Sequence, residues 1–178
     1  MGPHADCRKP VAKKDIRHHR PHFFEGEQSG RVRMKRSEKD IVVEQVPVGE
    51  FEVFTYFAAC PQTRETVIID PAGEPDRLVT MIREQGLKVK YILNTHGHAD
   101  HVLANRPLRE IFDAPTCMHQ DDITFFSRDD VRAASLKEIG LPAPDPADRS
   151  IKDGDMLEVG TLKIRVIHTP GHTPGSVC

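Results

Sequence analysis

The feature that most constrains this chain is a short apolar strand that runs straight into a cluster of histidines. Tyr91-Ile92-Leu93 is followed at once by Asn94-Thr95-His96-Gly97-His98-Ala99-Asp100-His101, so four metal-ligating groups lie within six residues. In a tight loop leaving a strand, His96 and His98 can project toward one point. Asp100 and His101 are offset from them and can serve a second ion beside it. Gly97 and Ala99 are small, which lets the backbone fold closely around a cation. Imidazole nitrogens and a carboxylate suit zinc, and iron or manganese nearly as well. A solvated histidine patch is the bland alternative, and the apolar strand directly before the cluster argues against it.

The rest of the pattern supplies a scaffold. Ile41–Val48 alternates apolar and polar residues, as a half-buried strand does. Phe51–Ala59 and Thr66–Asp70 are two more β-rich runs around a polar turn. Glu74-Pro75-Asp76 opens a helix, with proline and acids where the first turn favours them. Leu78, Val79, Met81 and Ile82 form its apolar face, and Gly86 ends it. Val89–Leu93 is a strand. A helix using Leu108, Ile111 and Phe112, a strand over Pro115–Met118 and a helix over Val131–Ile139 follow. Met156–Val159 and Leu162–His168 read as a hairpin around Gly160-Thr161. Strands first, then strands alternating with helices, predict a layered α/β or α+β domain.

Charge divides the 178 residues in two. Residues 1–39 hold eleven Lys/Arg and five Asp/Glu, a balance of +6, whereas residues 40–178 carry −8. The first segment has almost no apolar periodicity and is expected to be an unordered basic tail, carrying His4, His18, His19 and His22. Residues 40–178 are the expected folded domain. Its acidity opposes phosphate binding, so no nucleic-acid partner is expected. No apolar stretch has the length of a membrane span or the setting of a secretory leader. The four widely spaced cysteines read as reduced thiols, and the expected location is cytoplasmic.

With these residues in view, the chain resembles the metallo-β-lactamase superfamily. Thr95–His101 is similar to that family's signature loop. Val67-Ile68-Ile69-Asp70-Pro71 resembles its first motif, an Asp at a strand end. His168-Thr169-Pro170-Gly171-His172-Thr173-Pro174-Gly175 resembles the motif that supplies a third histidine. The resemblance covers residues 40–178 and implies the N-terminal half of an αββα sandwich. It implies that His96, His98 and His172 hold one metal, that Asp100 and His101 contribute to a second, and that Asp70 orients the loop from behind. Asp100 would also orient the nucleophile, a metal-bound hydroxide. The cofactor implied is zinc, one or two ions, with iron as the alternative.

The wording around these motifs is most similar to the hydroxyacylglutathione hydrolase (glyoxalase II) branch, which implies a small-molecule thioester substrate. The alternative is an iron-dependent persulfide dioxygenase. The family also supplies a bridging Asp and a further His after the third motif, and the sequence stops at Cys178. The expectation is therefore a C-terminally incomplete domain, able to self-associate through an exposed sheet face. The reading from another class is an inactive metal-binding fragment, or a half that needs a partner chain. His168 is expected to be structural and His119 to lie on the surface. Asp129-Asp130 reads as a helix start, and Cys60, Cys117 and Cys178 as structural.

Overall fold

The computed structural model describes residues 32–35, 41–138 and 140–178. Seven strands make one sheet in chain order: β1 (Val32–Lys35), β2 (Val42–Val48), β3 (Val53–Ala59), β4 (Glu65–Ile69), β5 (Lys88–Leu93), β6 (Thr116–His119) and β7 (Arg149–Ile151). Strands β1 to β4 are antiparallel neighbours. From β4 to β7 the pairing is parallel. The three parallel steps are bridged by helices: α1 (Pro75–Glu84), then α2 (Ala99–Val102) with α3 (Asn105–Phe112), then α4 (Gln120–Phe126) with α5 (Asp129–Glu138). A hairpin of β8 (Met156–Val159) and β9 (Leu162–Arg165) closes the described chain.

The period-2 alternation sorts the strands' side chains into two apolar layers. Val46, Val48, Phe57, Ile68 and Ile92 face one way and pack with Leu78, Ile82 and Leu108 of α1 and α3. Ala58, Val67, Leu93, Cys117 and Ile151 face the other way and meet Leu157, Val159, Val166 and Val177 from the hairpin region. This second face was expected to stand bare. The hairpin covers part of it, while Ile41, Val43, Ile69 and Tyr91 at its margin are only half-buried.

Helix α1 matches its sequence signals, with Pro75 and Asp76 in the first turn and four buried apolar residues. Other elements differ from expectation. Val32–Lys35, within the segment expected to be unordered, pairs with Val42–Gln45. Its alternation of Val and Met with Arg and Lys is the pattern of a charged edge strand. The remainder of residues 1–39, with its four histidines, lies outside the described residues. Helices α2 and α4 and strand β7 were not expected. Each is seven residues or shorter, and α4 is capped by the His119 side chain, whose Nδ1 accepts the Asp121 N–H at 3.2 Å. Histidine is not among the usual capping residues. No helix among the described residues is long and apolar enough to cross a membrane.

The topology gathers four loops at one end of the sheet. Asp70 follows β4, His96 to His101 follow β5, and His119 to Asp122 stand at the junction of β6 and α4. The loop carrying His172 follows β9, and Val177 N–H donates to the Thr95 carbonyl at 2.9 Å to seat it beside the others. The carboxyl ends of parallel strands are where α/β sheets place their ligands.

Candidate metal centre

His96, His98 and His172 converge. One nitrogen from each lies within 4.8 Å of the other two. His98 Nδ1 and His172 Nε2 are 3.0 Å apart, and the His96 ring stands edge-on to both. His96 is buried, His98 intermediate and His172 exposed, so the cluster opens to solvent on one side.

A hydrogen-bond chain fixes the His96 tautomer. Thr95 N–H donates to Asp70 Oδ1 at 2.7 Å, and the Thr95 hydroxyl donates to Asp70 Oδ2 at 2.6 Å. That hydroxyl has a single proton, so in its 3.0 Å contact with His96 Nδ1 the imidazole is the donor. Nε2 therefore carries the lone pair. It is buried and has no hydrogen-bond partner among the described residues. An unpaired buried acceptor is costly, and a metal ion would satisfy it. Burial above all, and then the nearby His101, hold the His96 imidazole down to about 4. Burial also lowers His98, followed by His172. Both rings are thus held in the neutral form that a ligand requires.

Asp70 is the anchor of this loop. It takes φ of 49°, a left-handed conformation that an Asp tolerates better than most residues. Its backbone N–H donates to the Leu93 carbonyl at 2.9 Å, and its own carbonyl accepts the Thr55 hydroxyl at 2.7 Å. His101 Nδ1 lies 3.2 Å from Asp70 Oδ2. Burial works against a charge on His101, but the Asp70 hydrogen bond and charge outweigh it and raise its pKa. His101 thus faces Asp70, and these two with His96 form a second close group. Asp100 lies outside the three-histidine cluster, its Oδ2 3.9 Å from His101 Nε2.

Sequence reasoning missed the residue that joins the two histidine loops. Asp122 is fully buried. Its Oδ2 accepts the Gly97 N–H and the Thr173 hydroxyl, both at 2.8 Å, and its Oδ1 accepts the Gly175 N–H at 2.7 Å. Phe126, one turn later in α4, packs edge-on to His98 at 5.6 Å between ring centroids. Asp122 reads in sequence as one acid in a polar run, and its partners are 25, 51 and 53 residues away.

His119 was expected on the surface and is 5% exposed instead. Its ring stacks on His168 at 4.0 Å and 13°, with Asp121 nearby. These three also form a close group. Lone pairs lie in the ring plane, so stacked imidazoles aim them side by side rather than at one ion. The His119 Nδ1 is already used as the α4 cap, and His168 Nε2 contacts the Pro174 carbonyl at 2.9 Å. The stack braces the His172 loop.

With the geometry in place, the comparisons decide the family. The model of the Metallo-beta-lactamase superfamily matches residues 48–178. The chain belongs to this superfamily. It is 34% identical over 134 residues to the "Probable metallo-hydrolase YqgX" of Bacillus subtilis, covering 75% of this chain and 62% of that protein. It is 34% identical to the hydroxyacylglutathione hydrolase GloC of Haemophilus influenzae, covering 64% and 54%. It is 35% identical to the human mitochondrial persulfide dioxygenase ETHE1, covering 70% and 41%. Among solved structures, the BLEG-1 B3 metallo-beta-lactamase superposes with a TM-score of 0.67 at 33% identity, covering 76% and 65%. The TTHA1623 protein in a di-iron-bound form gives 0.59 at 33%, covering 75% and 64%. The chain spans less than two thirds of each of these relatives. The seven-stranded sheet, its helices and the β8–β9 hairpin are a metallo-β-lactamase fold, and such folds bind metal ions.

Proposed function

We propose that this chain carries the metal-binding part of a hydrolase that cleaves thioesters of the hydroxyacylglutathione type. The observation that carries the reading is the convergence of His96, His98 and His172, with a buried, unpartnered Nε2 on His96. Three imidazoles suit zinc, with iron as the alternative. Such an ion would supply Lewis acidity toward a carbonyl and toward water. The protein's own contribution is orientation. Asp70, through Thr95, fixes the His96 tautomer and aims Nε2 inward. His98 and His172 complete the donor set from two loops. Asp100, at the start of α2 and partly exposed, is assigned the proton of an incoming nucleophile on its position in the histidine loop. The Haemophilus relative supports the thioester reading by its name.

A second reading rests on a specific observation. The human persulfide dioxygenase is as similar to this chain as the hydrolases are. Metal analysis with two assays separates the readings. The expected result is about one zinc per chain and thiol release from S-lactoylglutathione, both lost in His96→Ala. Bound iron with oxygen uptake on glutathione persulfide would establish the dioxygenase reading instead. A wild-type chain that holds no metal and turns over neither substrate would overturn both.

A further inference from the structure

We propose that Asp122 is the positioning residue of the metal centre: it holds the His96–His98 loop and the His172 loop at the separation a shared ion needs, and its charge balances that ion. The inference rests on the metal-binding reading above.

Three facts about Asp122 support it. Its two oxygens accept three hydrogen bonds, and the donors come from both loops: Gly97 lies between His96 and His98, while Thr173 and Gly175 flank His172 on its C-terminal side. No other described carboxylate grips the backbone of both loops. The fit is also tight. A Cβ at Gly175 would lie 2.6 Å from the Asp122 nitrogen and 2.8 Å from its Cγ, and one at Gly97 would clash with the Cδ2–Cε2 edge of the Phe126 ring. The loops can approach α4 this closely because both positions are glycine.

The third fact is electrostatic. Asp122 is fully buried, and its donors are two amides and a hydroxyl, all neutral. A buried anion without a countercharge is unfavourable. A divalent ion held in the histidine cluster next to it would bring the missing positive charge. Outer hydrogen-bond partners of this kind typically change metal affinity about 10–100-fold when removed.

Cobalt(II) alone serves as the probe, because its absorption bands report ligand geometry. Full-length wild type and variants are titrated in competition with a chromophoric chelator, and the metal-free fold is checked by circular dichroism. Asp122→Asn keeps the shape but sets an amide N–H against one of the donors. The expected result is a metal-free fold like wild type, affinity down about 10–100-fold and shifted cobalt bands. Should Asp122→Asn not fold, Thr173→Val and Thr173→Ser decide the matter. Val removes one bond to the same carboxylate and is expected to weaken cobalt binding and shift its bands, whereas Ser restores both. Unchanged affinity and bands in a folded Asp122→Asn would overturn the inference, as would Thr173→Val and Thr173→Ser behaving alike. A wild type that binds no cobalt would instead overturn the metal-binding reading itself.

Discussion

At the residue scale, the centre depends on close packing behind the ligands as much as on the ligands. Gly97 shows this. A Cβ there would lie 2.6 Å from Phe126 Cε2, and Phe126 is 5% exposed, so the ring has little room to move. Gly97→Ala is expected to cost about 1–3 kcal/mol, the range for forcing an extra group into a packed site. Adding Phe126→Leu should recover part of that cost, read by urea denaturation. Strict additivity of the two changes would show that they do not meet. The histidine cluster and its anchor were legible because they sit in local motifs: His96 and His98 are two residues apart, and Asp70 closes a β-branched run. Asp122 was not legible. Its role arises from donors that fold toward it from distant segments, and nothing near it in sequence marks them.

At the scale of elements, the joint between α3, β6 and the approach to β7 rests on one carboxylate. Asp148 accepts the Thr116 N–H at 2.9 Å and the Thr116 hydroxyl at 2.8 Å, and it pairs with Arg109. Burial works to raise the Asp148 pKa, but the Thr116 bonds and then Arg109 outweigh it and hold the carboxyl below its usual range. The folded state therefore gives up this proton more readily than the unfolded state. The stabilisation is full above the ordinary carboxylate range, near pH 4, and is lost as pH falls through the lower folded value. Asp148→Asn is expected to cost about 1–2 kcal/mol at pH 7. The gap to wild type should shrink in strong acid, and an equal gap at pH 7 and pH 2.5 would show that ionisation is irrelevant to the joint. Element prediction succeeded where period, caps and length agreed, as in α1. It missed α4, Gln120–Phe126, where two aromatics and an Ile fill a helix too short to show a period, behind a histidine cap.

At the scale of the whole molecule, the metal ion and the fold are linked. An ion that binds only the folded chain stabilises it by about 2.7 kcal/mol when present at a hundred times its dissociation constant. For a chain of this size that corresponds to a melting point lower by roughly 5–10 °C after chelation. Differential scanning calorimetry with and without chelator checks this. His96→Ala should melt at the same temperature in both, and a wild type indifferent to chelator would contradict the linkage. The order of assembly follows from the same geometry. His98 and His172 meet across 74 residues of chain, and strands β6 and β7, which pair in parallel with β5 and β6, lie within that span. Distant pairings of this kind are the slow steps of folding. The centre is thus expected to form late, and the rate at which a refolding sample captures metal should then serve as a clock for completion of the sheet.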